Sequence, residues 1–184
     1  FAVERLNKEY YFFFTKHLIF TFLALAIMII ISVFKTELLI RLVLPLFIIS
    51  FIFLALVPII GIEVKGAKRW INLYFFRLQP IEILKPLFIL MTAKILTYKK
   101  FENSQLKYFL SFLLLSSVII LLIDQPDLGQ SILLIGSWVA TVFVAGVSLI
   151  YIIIFFSIFL ISLGSLLFFL PEKFGYIINR LVTF

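Results

Sequence analysis

The chain has 184 residues, of which 64% are hydrophobic and 24 are phenylalanine, with a mean hydropathy of +1.25. A soluble domain is about half apolar, so this composition excludes a soluble globular fold and indicates an integral membrane protein. A net charge of +7 suits anionic lipid headgroups. The lack of cysteine excludes disulfides and thiolate metal sites, and the single His17 excludes a histidine-cluster metal centre.

The chain opens at Phe1 rather than Met and stops at Phe184 soon after an apolar stretch ends, which is expected of a fragment of something longer. The first apolar stretch follows the aromatic segment Tyr10 to Phe14 and is long enough to span, unlike a secretory signal. A membrane helix needs roughly 20 apolar residues. In chain order the expected spans are 17–34, 42–60, 81–97 and 109–123. Ser131 to Leu170 then runs 40 residues without a charge, too long for one crossing. It divides into 131–146 and 149–170, turning near Gly146-Val147-Ser148, residues that suit a tight reversal. The expected architecture is all-α, a polytopic transmembrane helical bundle of six spans in a single membrane domain.

Six spans put the N-terminal segment and residues 61–80, 124–130 and 171–184 on one side. That side carries nine basic residues: Arg5, Lys8, Lys16, Lys65, Lys68, Arg69, Arg77, Lys173 and Arg180. The other side carries six: Lys35, Arg41, Lys94, Lys99, Lys100 and Lys107. The positive-inside rule alone would put 61–80 in the cytoplasm, but a basic loop with a binding role would distort that count.

Lys65-Gly66-Ala67-Lys68-Arg69-Trp70 sets adjacent cations after small residues. Small residues let the backbone approach a ligand, and a guanidinium grips phosphate oxygens bidentately. Trp70 and Tyr74 suit headgroup level, and all of these residues serve equally as interfacial anchors. In Gln79-Pro80-Ile81-Glu82-Ile83-Leu84-Lys85, Pro80 suits the first helical turn and Glu82 and Lys85 share a face. A charge at the centre of a membrane helix costs roughly 2.5–3.5 kcal/mol, less near its ends. The pair is either a structural ion pair or part of a polar cavity. Asp124-Gln125-Pro126-Asp127-Leu128-Gly129-Gln130 is an acidic turn on the same side as the basic loop. There Asp127 either caps the next helix or pairs with Lys68, Arg69 or Lys85. His17 fits a headgroup or interhelical contact better than a proton relay. Lys94 to Lys107 suits anionic headgroups on the opposite face, and nothing points to nucleic acid.

Read together, GIEVKGAKRWINLY, QPIEILK and QPDLGQ resemble, in order and spacing, three motifs of the FtsW/RodA/SpoVE (SEDS) family. Those are G-x-x-x-x-G-A-x-R-W-I-x-L-G, Q-P-S-E-x-x-K and Q-P-D-x-G. EVKGAKRWI and DQPDLGQ are more similar to the family's cell-division member than to its cell-shape member. Two positions depart from the pattern, Ile81 for Ser and Tyr74 for Gly, and neither removes a charge.

The resemblance covers essentially the whole chain and implies roughly the first half of a ten-helix fold in the bacterial inner membrane. It implies that loops 61–80, 124–130 and 171–184 are extracytoplasmic, against the raw charge count. It also implies a peptidoglycan glycosyltransferase of septal wall synthesis, polymerising lipid II with a class B penicillin-binding protein and other division proteins. Lys68, Arg69 and Lys85 are then candidates for pyrophosphate contact. Glu82 and Asp127 would position those cations or line the cavity, and Trp70 and Gln79 complete the substrate-binding set. The catalytic acid is expected beyond Phe184, so residues 1–184 alone should be inactive. No cofactor is evident, and a divalent cation is compatible with pyrophosphate chemistry. A lipid II flippase and a non-catalytic structural subunit of the division complex are the alternatives.

Overall fold

The structure, a computed structural model, describes residues 11–64, 67–73, 76–99, 104–148, 150–154, 157–158, 161 and 164–165. Lys65, Gly66, Tyr74, Lys100 and the segments 1–10 and 171–184, with the basic residues assigned there, lie outside the described residues. So does most of the expected span 149–170.

Contacts divide the chain after Pro45 into two units. The first contains helix α1 (Tyr11–Val33) and the start of helix α2 (Thr36–Ile60). Every described side chain of α1 is exposed, although α1 is apolar on all faces. A helix apolar all round is covered by lipid or by other protein, and the length of this one suits a membrane span. Its hydroxyls bond their own helix, Thr21 Oγ1 to the His17 carbonyl (2.9 Å) and Ser32 Oγ to the Ile29 carbonyl (2.7 Å). The connector expected at 35–41 is shorter than the hydropathy pattern suggests. The helix break is confined to Phe34 and Lys35, and α2 begins at Thr36. Glu37 and Arg41 are single charges in a strongly apolar helix and do not end it.

The second unit begins at Leu46. After α2 comes a three-stranded antiparallel meander, β1 (Ile62–Val64), β2 (Ala67–Leu73) and β3 (Phe76–Leu78). Helices α3 (Pro80–Leu96), α4 (Ser104–Asp124) and α5 (Leu128–Val144) follow. The chain turns at 145–148, where Gly146 has φ +97°, and is helical again from Ile150. Only glycine adopts that φ without strain. The sheet differs from the expected irregular loop. Its β-branched and aromatic residues lie between Gly61 and Pro80, and short strands of this kind are hard to separate from loop in an otherwise apolar chain.

Among the described residues three helices, at Phe14–Val33, Thr36–Ile60 and Gln105–Asp124, are long and apolar enough to cross a membrane. At 17 residues each, α3 and α5 measure about 26 Å at ~1.5 Å per residue, slightly under a ~30 Å hydrocarbon core.

The core of this unit is a seam at helical spacing. Ile81, Leu84, Phe88 and Leu96 of α3 meet Leu115, Val118 and Leu122 of α4 and Leu134, Trp138 and Val142 of α5, with Phe47 and Leu54 of α2. Steps of three and four keep each set on one helix face. Polar atoms inside the seam are mostly satisfied locally. Trp138 Nε1 donates to Ser111 Oγ (3.3 Å), which donates to the Tyr108 carbonyl (2.8 Å). Arg69, Gln79, Gln125 and Asp127 meet where α3 begins and α4 turns into α5.

Candidate functional site

Strand geometry decides where the adjacent cations go. Successive side chains of a strand point to opposite faces, so Lys68 and Arg69 diverge. Ala67 and Ile71 are buried and Arg69 is half-buried with them, whereas Lys68 is exposed. β2 pairs with β1 through Glu63↔Lys68 and Val64↔Ala67, and with β3 through Ile71↔Leu78. Lys68 and Arg69 therefore lie on opposite faces of β2 and have different surroundings.

Arg69 reaches the 125–127 turn, more than fifty residues along the chain. Its Nε donates to the Gln125 carbonyl at 3.2 Å, and its Nη2 donates to the Pro126 carbonyl. Nε also lies 3.7 Å from Asp127 Oδ2, an electrostatic contact too long for a good hydrogen bond. Asp127 is only 6% exposed, and an ionised carboxylate buried without partners is very costly. Here it has the Arg69 charge and a hydrogen bond from Gln79 Nε2 at 3.3 Å. Asp127 stands at the N-cap position of α5, but its carboxylate makes no cap bond. Ser131 bonds its carbonyl instead, through N (3.1 Å) and Oγ (2.9 Å). Of the two sequence-level alternatives for Asp127, the structure selects the ion pair.

A second group begins one turn into α3. Gln79 is the N-cap residue and Pro80 opens the helix, its missing N–H matching a donor that has no helical partner there. Glu82 and Lys85 follow three apart and pair at 2.7 Å (Nζ to Oε2). Gln130 of α5 donates from Nε2 to Glu82 Oε1 at 2.8 Å, while its own Oε1 is buried with no partner. Half of the Glu82 side chain and a quarter of that of Lys85 remain exposed. This group is therefore open, in contrast to the closed Arg69–Asp127 group.

The structure thus joins Arg69, Gln79 and Asp127 in one contact set and Glu82 with Lys85 in another. Lys68 stands apart, its Nζ 3.5 Å from the Pro58 carbonyl. Trp70 is half-buried on β2, opposite Ile62 and on the strand face away from Arg69. Sequence reasoning missed Gln125 and Gln130. Gln125 is 3% exposed and donates from Nε2 to the Leu54 carbonyl at 3.0 Å. A signal for it was present in Pro58. Proline has no N–H, so the carbonyl four residues earlier lacks its helical donor and needs one from elsewhere. No group of three or more potential metal ligands occurs among the described residues.

Comparison with known proteins gives consistent relatives. The probable peptidoglycan glycosyltransferase FtsW of Aliivibrio salmonicida is 31% identical over 147 residues, 79% of this chain and 37% of the relative. The protein of the same description from Wigglesworthia glossinidia brevipalpis is 31% identical over 98% of this chain and 47% of its own length. The chain therefore spans less than half the length of these two curated relatives. Among solved structures, a chain of a peptidoglycan synthase complex that coordinates polymerization and crosslinking superposes with a TM-score of 0.73. It is 27% identical and covers 87% of this chain and 48% of that one. The rod shape determining protein RodA of Thermus thermophilus gives a TM-score of 0.64 at 30% identity, over 76% of this chain and 46% of its own. The profile of the cell cycle proteins FtsW, RodA and SpoVE matches residues 1–184, and the chain belongs to that family.

Proposed function

We propose that this chain supplies the lipid II-binding half of a peptidoglycan glycosyltransferase of septal wall synthesis. It acts at the extracytoplasmic face of the bacterial inner membrane, in six spans. The observation that carries this reading is the open Lys85–Glu82–Gln130 group, which sits at the end of an apolar helical seam beside the more buried Arg69–Asp127 group. Ionisable residues at membrane depth are expensive and mark functional sites by default. The open group has a cation for a phosphate and an unpartnered buried acceptor, Gln130 Oε1, for a substrate N–H or O–H.

In the reaction we propose, a sugar hydroxyl attacks the anomeric carbon of the growing chain and undecaprenyl pyrophosphate leaves. Lys85 stabilises the departing negative charge, as a preorganised cation does in a low-dielectric site. Glu82 orients Lys85. Lys68 and Trp70, on the outer face of β2, contact the headgroup region of the substrate. Arg69, Gln79 and Asp127 form the framework that holds β2 over the site, so Arg69 binds substrate only through the N–H groups its carbonyl partners leave unused. The carboxylate that accepts the hydroxyl proton belongs to sequence beyond Phe184, and a class B penicillin-binding protein is the crosslinking partner.

The test is lipid II binding and polymerisation by the purified full-length protein with Lys85→Ala. An exposed pair of this kind contributes only ~0–1 kcal/mol to stability, so the variant should keep its melting temperature within ~3 °C. Affinity for lipid II should fall at least ~10-fold, and polymer yield with it. Unchanged affinity would remove Lys85 from the site. Transport of lipid II without polymer formation would favour a flippase.

A further inference from the structure

Pro58 interrupts the hydrogen-bond ladder of α2 three residues before Gly61. Its missing N–H leaves the Leu54 carbonyl without a helical donor, and Leu54 is completely buried. Gln125, in the turn after α4, supplies that donor, Nε2 to O at 3.0 Å. The next links run through the same turn. The Gln125 and Pro126 carbonyls accept from Arg69, and Asp127 stands against Arg69 and Gln79. The Asp127 amide donates in turn to the Leu122 carbonyl at 3.0 Å.

We propose that Gln125 is a positioning residue. By binding the carbonyl that Pro58 frees, it tethers the 125–127 turn to α2 and so fixes Arg69, Asp127 and the sheet above the polar groups. Gln125 itself contacts no substrate. The tether exists only because Pro58 removes one hydrogen bond from the α2 ladder, so the two residues act as one device.

The proposal separates from a simple need to satisfy buried polar atoms through a four-member set: the native full-length protein, Gln125→Met, Pro58→Ala and the double variant. Methionine keeps the approximate shape of glutamine without the amide. Gln125→Met leaves the buried Leu54 carbonyl unpaired and should lower the melting temperature, whereas Pro58→Ala sets the Gln125 amide in competition with a backbone N–H for that carbonyl. The double variant leaves neither group unpaired, because the backbone N–H that Pro58→Ala restores donates to the Leu54 carbonyl, and replacing both partners of a buried bond is nearly neutral. Its melting temperature should therefore return to native. The tether, however, is absent from the double variant. Amide hydrogen exchange at Asp127 should stay ~10-fold faster than native, and affinity for undecaprenyl pyrophosphate should stay ~10-fold weaker.

Recovery of exchange and affinity along with stability in the double variant would overturn the positioning role, as would native exchange in Gln125→Met. If either single variant fails to fold, the double variant alone decides. The affinity readout rests on the proposed pyrophosphate site, whereas hydrogen exchange does not. A native protein that fails to bind undecaprenyl pyrophosphate would count against the function, and exchange would still decide the tether.

Discussion

Replacing Arg69 with alanine removes the side chain that joins the sheet to the 125–127 turn. Two hydrogen bonds from a charged donor are lost, Nε to the Gln125 carbonyl at 3.2 Å and Nη2 to the Pro126 carbonyl. Bonds to charged groups contribute ~1.5–3 kcal/mol each. Asp127, 6% exposed, keeps its bond from Gln79 at 3.3 Å but loses its charge partner. Breaking a buried pair from one side costs ~3–5 kcal/mol. These losses overlap rather than add, because they describe one guanidinium. The Arg69 side chain is 20% exposed, and solvent screening moves the expectation to the lower end, ~3 kcal/mol. For a chain of this size ~1 kcal/mol shifts Tm by ~2–4 °C, so Tm should fall by roughly 6–12 °C. Intrinsic fluorescence of Trp70 and Trp138 during heating in detergent reads this directly. Adding Asp127→Asn to Arg69→Ala removes the stranded charge and should recover about half of the loss. A single variant melting within ~2 °C of native would refute the framework role.

Other substitutions test separate features. An alanine Cβ at Gly61 would lie 2.3 Å from the Val57 carbonyl oxygen, so Gly61→Ala must displace the junction between α2 and β1. It should cost ~1–3 kcal/mol and make the sheet more sensitive to trypsin at Lys68 and Arg69, and a native digestion rate would contradict this. Thr92 is fully buried in α3 with no partner for Oγ1. Thr92→Val keeps the shape and removes an unsatisfied hydroxyl, so it should be neutral or stabilising by up to ~1 kcal/mol in thermal melts.

The described helices fall near the expected spans because they follow from local composition, although α2 begins at Thr36 rather than at 42. Apolar runs of membrane length need only lipid around them, and α1 shows this by exposing apolar side chains on every face. The Glu82–Lys85 pair was equally readable, since residues three apart on a helix meet whatever else the chain does. Pro80 marked its helix start for the same reason. The motifs of the three segments also carried the family, which the comparisons then supported across residues 1–184.

The roles of the two adjacent cations were not readable. They depend on whether residues 67–73 form a loop or a strand, and a strand sends neighbours to opposite faces. Which acid Arg69 meets depends on a turn 56 to 58 residues away, and no local pattern encodes that approach. Gln125 lies between these extremes. Once the segment is a buried helix, Pro58 leaves the Leu54 carbonyl without its helical donor, so another donor is needed there. That the donor comes from Gln125, 71 residues later, is a fact of tertiary packing, because only the folded helices bring those two groups to 3.0 Å.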